Sequence, residues 1–125
     1  MKRHRYTDKV LLPSARDSGN RGERLVVDYL KEHGYKVLEQ NWRRVDCEID
    51  IVASKKKQLY FVEVKYRQFD LESAISSLST IKLRQMAYSA SRYCQETGFD
   101  GSYQLMFVAV TGTTTYEYKI FMELA

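Results

Sequence analysis

Apolar residues recur at helical spacing between Asn20 and His33, where Leu25, Val26, Tyr29 and Leu30 form one stripe and Gly34 supplies a stop. The pattern then shortens. Tyr35 to Leu38 predicts a strand, and Ile49 to Ala53 and Leu59 to Tyr66 predict two more, joined as a hairpin by the polar turn Ser54-Lys55-Lys56-Lys57. Past Phe69 the helical period returns. It is clearest from Thr80 to Glu96, where Leu83, Met86, Ala87, Ala90, Tyr93 and Cys94 share a face and Gly98 ends the run. Gln104 to Val110 is almost continuously apolar, which suits a strand covered on both faces, and Tyr116 to Met122 follows the turn Gly112-Thr113-Thr114-Thr115 as a last strand. The order αβββαββ predicts an α/β fold, a mixed sheet flanked by helices, because two amphipathic helices need a sheet to bury their stripes.

With 125 residues there is room for one core. Residues 1–18 read as a basic, flexible N-terminal arm and 19–125 as a single domain. The net charge of +4 lies wholly at the N-terminal end: residues 1–24 hold seven Lys/Arg against three Asp/Glu, and the remainder thirteen against thirteen. Lys2, Arg3 and Arg5 can neutralise phosphates there, and Arg43 and Arg44 are further candidates for nucleic-acid binding; a solvated tail that aids solubility is the alternative for the arm. No apolar run approaches the roughly 20 residues that cross a bilayer. The stretch Val10-Leu11-Leu12 before Pro13 is too short for a secretory signal, so a cytoplasmic protein without membrane association is expected. Cys47 and Cys94 stand alone, as do His4 and His33, which argues against a disulfide framework, a zinc site and histidine-based nucleophilic catalysis.

The chemistry lies in charges placed inside apolar strands. Glu63 and Lys65 interrupt Leu59-Tyr60-Phe61-Val62-Glu63-Val64-Lys65, and Asp50 interrupts Ile49-Asp50-Ile51. Strand alternation points Asp50 away from Ile49 and Ile51, and Glu63 and Lys65 away from Val62 and Val64, so an in-register hairpin gathers all three on one face. Two converging carboxylates repel each other unless a cation lies between them, and hard oxygen ligands suit Mg²⁺ or Mn²⁺. A solvated, cross-strand-paired edge is the structural alternative.

Gly22-Glu23, Gly34-Tyr35, Asn41, Glu48-Ile49-Asp50-Ile51-Val52-Ala53 and Phe61-Val62-Glu63-Val64-Lys65-Tyr66-Arg67, in this order and spacing, resemble the YraN-like family of predicted endonucleases. That family is similar to the PD-(D/E)xK, restriction-endonuclease-like superfamily and to archaeal Holliday-junction resolvases. The resemblance covers about residues 19 to 95, and it implies a restriction-endonuclease-like core. It makes Asp50 and Glu63 the metal-binding carboxylates, Lys65 the catalytic lysine and Glu23 a helical acid that reaches the metal directly or through water. Lys82 and Gln85 fall where related nucleases carry a polar residue facing the site, with plain solvent-facing positions as the alternative. Cys47 stands where the family usually has glycine. Glu48 and Arg67 are read as accessory, Glu48 pairing with Arg43, Arg44 or Arg67. Trp42 reads first as a core plug, with base stacking as the alternative. The function implied is a Mg²⁺- or Mn²⁺-dependent endonuclease acting on branched or otherwise structured DNA, with a homodimer to cut two strands symmetrically. The rivals are a non-catalytic nucleic-acid-binding module of the same fold and an interaction protein without nucleic acid.

Overall fold

The computed structural model describes residues 7–11 and 18–122, and the calls on Lys2, Arg3 and Arg5 lie outside them. The elements are β1 (Thr7–Leu11), α1 (Ser18–Glu32), β2 (Lys36–Arg44), β3 (Cys47–Lys55), β4 (Gln58–Arg67), α2 (Leu71–Ser76), α3 (Thr80–Thr97), β5 (Tyr103–Gly112) and β6 (Thr115–Met122). The strands form one six-stranded sheet in the order β1-β6-β5-β4-β3-β2. Only β4 and β5 run parallel, because α2 and α3 carry the chain back between them, and the other neighbours are antiparallel. This is the expected α/β class, a mixed sheet flanked by helices as in a restriction-endonuclease-like core.

Helix α1 packs on one face, where Leu25, Val26 and Leu30 meet Ile51, Val62, Met106, Val108 and Ile120. Helices α2 and α3 cover the other, where Ala74, Met86, Ala90 and Tyr93 meet Val52, Phe61, Leu105 and Phe107. Strand β5 is therefore covered on both sides, and Leu105 to Val110 are all buried, as its continuous apolar run requires.

Local chemistry sets the ends of the helices. Ser79 accepts the Lys82 N–H at 3.1 Å, which caps α3 and fixes the turn that carries Lys82. At the end of α1, Tyr35 N–H donates to Leu30 O at 2.9 Å and Gly34 N–H to Lys31 O at 3.3 Å, a Schellman arrangement that needs Gly34 at φ 87°. Within α1, a Cβ added to Gly22 would lie 3.3 Å from Tyr66 Cβ and 3.3 Å from Val64 Cγ1. The missing side chain lets the helix approach β4 closely and brings Glu23 to the sheet.

Three elements differ from the sequence reading. Thr7–Leu11, inside the expected arm, pairs with β6 as an edge strand. The short α2 precedes α3, capped by Asp70, which accepts the Ser73 N–H at 3.2 Å. Strand β2 is nine residues long and reaches Arg44, well beyond Leu38. It lies at the sheet edge with Trp42 as its one buried residue, so it carries no apolar alternation to read.

Candidate functional site

The β3–β4 ladder starts beside the turn at Lys55↔Gln58 and proceeds in register to Ile51↔Val62, where it stops. Just past that pair stand Asp50 on β3 and Glu63 on β4, whose charges act on each other. There the Val64 N–H donates to Asp50 Oδ2 at 2.8 Å, so a side-chain carboxylate takes the place of a main-chain acceptor. The strict alternation expected around Asp50 breaks here: Ile49 packs in the cluster with α3 and Ile51 in the cluster with α1. On the other flank Asn41, between the pairs Gln40↔Ile51 and Trp42↔Ile49, adopts φ 54°, a left-handed conformation that asparagine tolerates better than most residues. The sheet is irregular on both sides of Asp50.

This irregularity gathers acids. Burial raises the Asp50 carboxyl above its ordinary value, against the pull of the Val64 N–H, and Glu48 adds to the rise. Glu63 is raised by burial and then by the Asp50 charge, against a hydrogen bond and charge attraction from Lys82. Glu23 on α1 is likewise raised by burial and by Asp50, while a hydrogen bond with Asn41 lowers it. Four carboxylates thus act on one another, three of them holding a proton more readily than a free acid.

The cations are distributed unequally. Lys82 Nζ lies 2.8 Å from Glu63 Oε2, and that Glu63 side chain is only 17% exposed. Lys65 is half-buried two residues along the strand from Glu63, and among the described residues no ion pair takes its ammonium. Glu48 pairs with Arg43 at 3.4 Å, one of the pairings expected for it. Arg67 is exposed and donates to the Tyr66 carbonyl at 3.1 Å, and among the described residues it makes no ion pair with Glu48. Arg44 binds Glu96 at 2.7 Å, donates to the Arg43 carbonyl at 2.7 Å and stacks over Trp42 at 4.3 Å. Its guanidinium fastens the β2–β3 hairpin to α3, and so do the bonds from Asp46 to Arg92 at 2.9 Å and to the Tyr88 hydroxyl at 2.5 Å. Trp42 is 6% exposed against Tyr93, which makes it a core residue.

A cleft of about 530 Å³ opens beside the acids between the start of β3 and α3. Cys47, Glu48 and Glu63 line it from the sheet, and Lys82, Gln85 and Tyr88 from the helix, so the two polar positions singled out on α3 do face the site. Glu23, Asp50 and Lys65 are not part of its lining. Asn41 is the site residue to which sequence reasoning gave no role. Its signal was the tolerance of asparagine for left-handed backbone within an otherwise extended segment.

Among the described residues no three His, Cys, Asp or Glu groups gather as a ready-made metal cage. Mg²⁺ does not require one, since it is commonly held by one or two carboxylates and keeps several waters. Asp50 and Glu63 fit that demand: both are desolvated, both repel a neighbouring acid, and among the described residues the cation in contact with Glu63 is a lysine side chain.

Residues 22–111 match the model of "Uncharacterised protein family UPF0102". Similar proteins include a UPF0102 protein of Bacteroides fragilis, 35% identical over 98 residues that span 77% of this chain and 80% of the relative. A UPF0102 protein of Shewanella sediminis is 34% identical over 78% of this chain and 85% of its own length. One from Thermotoga neapolitana is 36% identical over 71% and 82%.

Proposed function

The chain belongs to the uncharacterised protein family UPF0102, and we propose that it is a metal-dependent endonuclease that hydrolyses DNA phosphodiester bonds, on branched or otherwise structured DNA. The observation that carries this reading is the meeting of Asp50 and Glu63 where the β3–β4 ladder stops, with Lys65 two residues beyond Glu63.

Asp50, Glu63 and the main-chain carbonyl of Val64 would hold a Mg²⁺ or Mn²⁺ ion. When bound, the ion supplies Lewis-acid polarisation of the scissile phosphate. The protein's own groups do the rest. Lys65 offers its ammonium to the charge that grows on the phosphate oxygens in the transition state. Glu23, oriented by Asn41 and raised by burial and by Asp50, suits the task of accepting a proton from an attacking water. Lys82 neutralises Glu63 while no other cation is present and is then free to turn toward a phosphate. A cytoplasmic location, DNA as partner and a homodimer belong to the same proposal.

One observation favours the rival, a nucleic-acid-binding module without catalysis: the Lys82–Glu63 pair already satisfies an acid that the enzyme would use. Calorimetry with Mn²⁺ and cleavage assays on junction, flap and single-stranded DNA separate the two. Asp50→Asn and Glu63→Gln keep the shape but remove ligand charge, so each should lose both metal binding and cleavage. Lys65→Ala should keep metal and DNA binding and lose cleavage by about 10²–10³-fold, the effect of removing one transition-state donor. A wild-type protein that binds these substrates and cuts none of them would leave the binding module as the function.

A further inference from the structure

On α3, Arg84 and Gln85 each lie three or four residues from both Ile81 and Tyr88, so the four form one helix face, and all four line the cleft beside Glu48 and Glu63. Two large apolar groups on that stripe face solvent, Ile81 at 67% exposure and Tyr88 at 50%. Of the two cations that line the cleft, Lys82 is paired with Glu63, whereas Arg84 is exposed and has no ion pair among the described residues. Exposed apolar surface flanking a free guanidinium suits a ligand with a flat apolar part and an anionic part.

Size and rigidity narrow the class. About 530 Å³ matches a pocket for one small molecule, roughly 300–1,000 Å³. A base stacked and paired inside a duplex cannot reach into such a cleft, but one nucleotide freed from its partner strand can. The facing hairpin is held to α3 by Arg44–Glu96, Asp46–Arg92 and Asp46–Tyr88, so the walls are set before any ligand arrives. The Tyr88 ring is positioned by its own hydroxyl. On the sheet wall Glu48 and Glu63 are engaged with Arg43 and Lys82 and offer a backbone phosphate no free cation, which leaves Arg84 as its place.

We propose that the cleft face of α3 reads an unpaired nucleotide, with Arg84 taking the backbone phosphate and Ile81 and Tyr88 packing against the base. This rests on the reading of the site as acting on DNA, and it narrows that substrate to DNA with a locally unpaired strand. The face selects for the absence of pairing rather than for sequence, because every base offers a stacking surface.

The test compares binding of a duplex carrying a short single-stranded gap with binding of its fully paired counterpart. Ca²⁺ replaces Mg²⁺ so that no strand is cut, and 2-aminopurine in the gap reports stacking. Wild-type protein should prefer the gapped DNA by about tenfold or more and should change the 2-aminopurine emission. Ile81→Ser and Arg84→Ala alter exposed positions. Each should reduce the preference to about threefold or less, and Arg84→Ala alone should also lower the slope of log affinity against log salt by about one. Equal affinity of the wild type for both DNAs, or an unchanged preference in both variants, overturns the inference. If Ile81→Ser alters only the oligomeric state, the stripe belongs to a second copy and the inference is likewise overturned. Preference without cleavage in Mg²⁺ would keep this inference and end the hydrolytic reading. Normal cleavage with an unchanged preference in both variants would do the reverse.

Discussion

The two ends of the β3–β4 hairpin solve the same problem in opposite ways. At the turn, the ladder is complete through Lys55↔Gln58, and Lys56 and Lys57 close it at φ 51° and 66°. Two lysines occupy conformations that asparagine and glycine adopt more readily, at a cost of about 1–2 kcal/mol for each left-handed residue. The side chains stay conventional, with Lys55 donating to His33 O at 2.7 Å. At the other end the ladder stops after Ile51↔Val62, the Asp50 carboxylate takes over a backbone bond, and the stress lies in crowded acids. Strain in a turn is only a loss of stability. Strain among carboxylates can also bind a cation, so only the second end has a chemical use.

The largest effect that would break this contrast concerns Asp50. Asp50→Asn keeps an acceptor for the Val64 N–H and removes a desolvated charge, so it should stabilise the metal-free protein at neutral pH by about 0.5–2 kcal/mol. Asp50→Ala leaves that N–H without its acceptor and should fall about 1–3 kcal/mol below the asparagine variant in urea unfolding. Equal stability of the two would mean that the Asp50–Val64 bond does not hold the strands at this point. At the turn, replacing Lys56-Lys57 by Asn-Gly should raise stability by about 1–2 kcal/mol and leave cleavage unchanged. A loss of cleavage there would join the two ends functionally.

The smallest effect is a pH profile. Glu23, Asp50 and Glu63 are raised above ordinary values of 4.5, 3.8 and 4.5, so the folded state takes protons first. Stability should rise as pH falls from neutral through the raised values, and this gain is complete below the ordinary ones. Asp46 and Glu96 are lowered, chiefly by hydrogen bonds with Tyr88 and Arg44, so their contribution is present above the ordinary values of 3.8 and 4.5 and is lost below them. The metal-free protein should therefore melt highest in mild acid, and Asp50→Asn should show a shallower slope on the neutral side. A wild-type profile that is flat from neutral to mild acid would count against crowded acids.

The same contrast explains what could be read from the chain. Helix α3 and strand β5 were legible because burial imposes a period on one and a continuous apolar run on the other. Asp50 and Glu63 were legible as charges inside apolar strands, and Lys82 and Gln85 as neighbours on a helix face. The length of β2 was not, because Glu39, Gln40, Arg43 and Arg44 are exposed at an edge and no face of the strand is consistently apolar. Nor was the change of face between Ile49 and Ile51, since strict alternation assumes the regular ladder that Asp50 and Asn41 interrupt. Arg44 looked like a phosphate contact from its neighbours, but its engagement with Glu96 depends on a residue 52 positions away.

Strand β2 has one more consequence, for how copies of the chain meet. As the outer strand among the described residues it presents an unpaired row of amides and carbonyls, the usual template for strand-by-strand accretion into aggregates. That row is broken by a register shift between Val37 and Glu39 and again by the left-handed Asn41, and Lys36, Glu39, Arg43 and Arg44 place charges along it. An incoming flat strand would find neither continuous partners nor a neutral surface. The distortion that helps shape the acidic site thus also guards the open edge, and lets many copies crowd together without their sheets fusing along it.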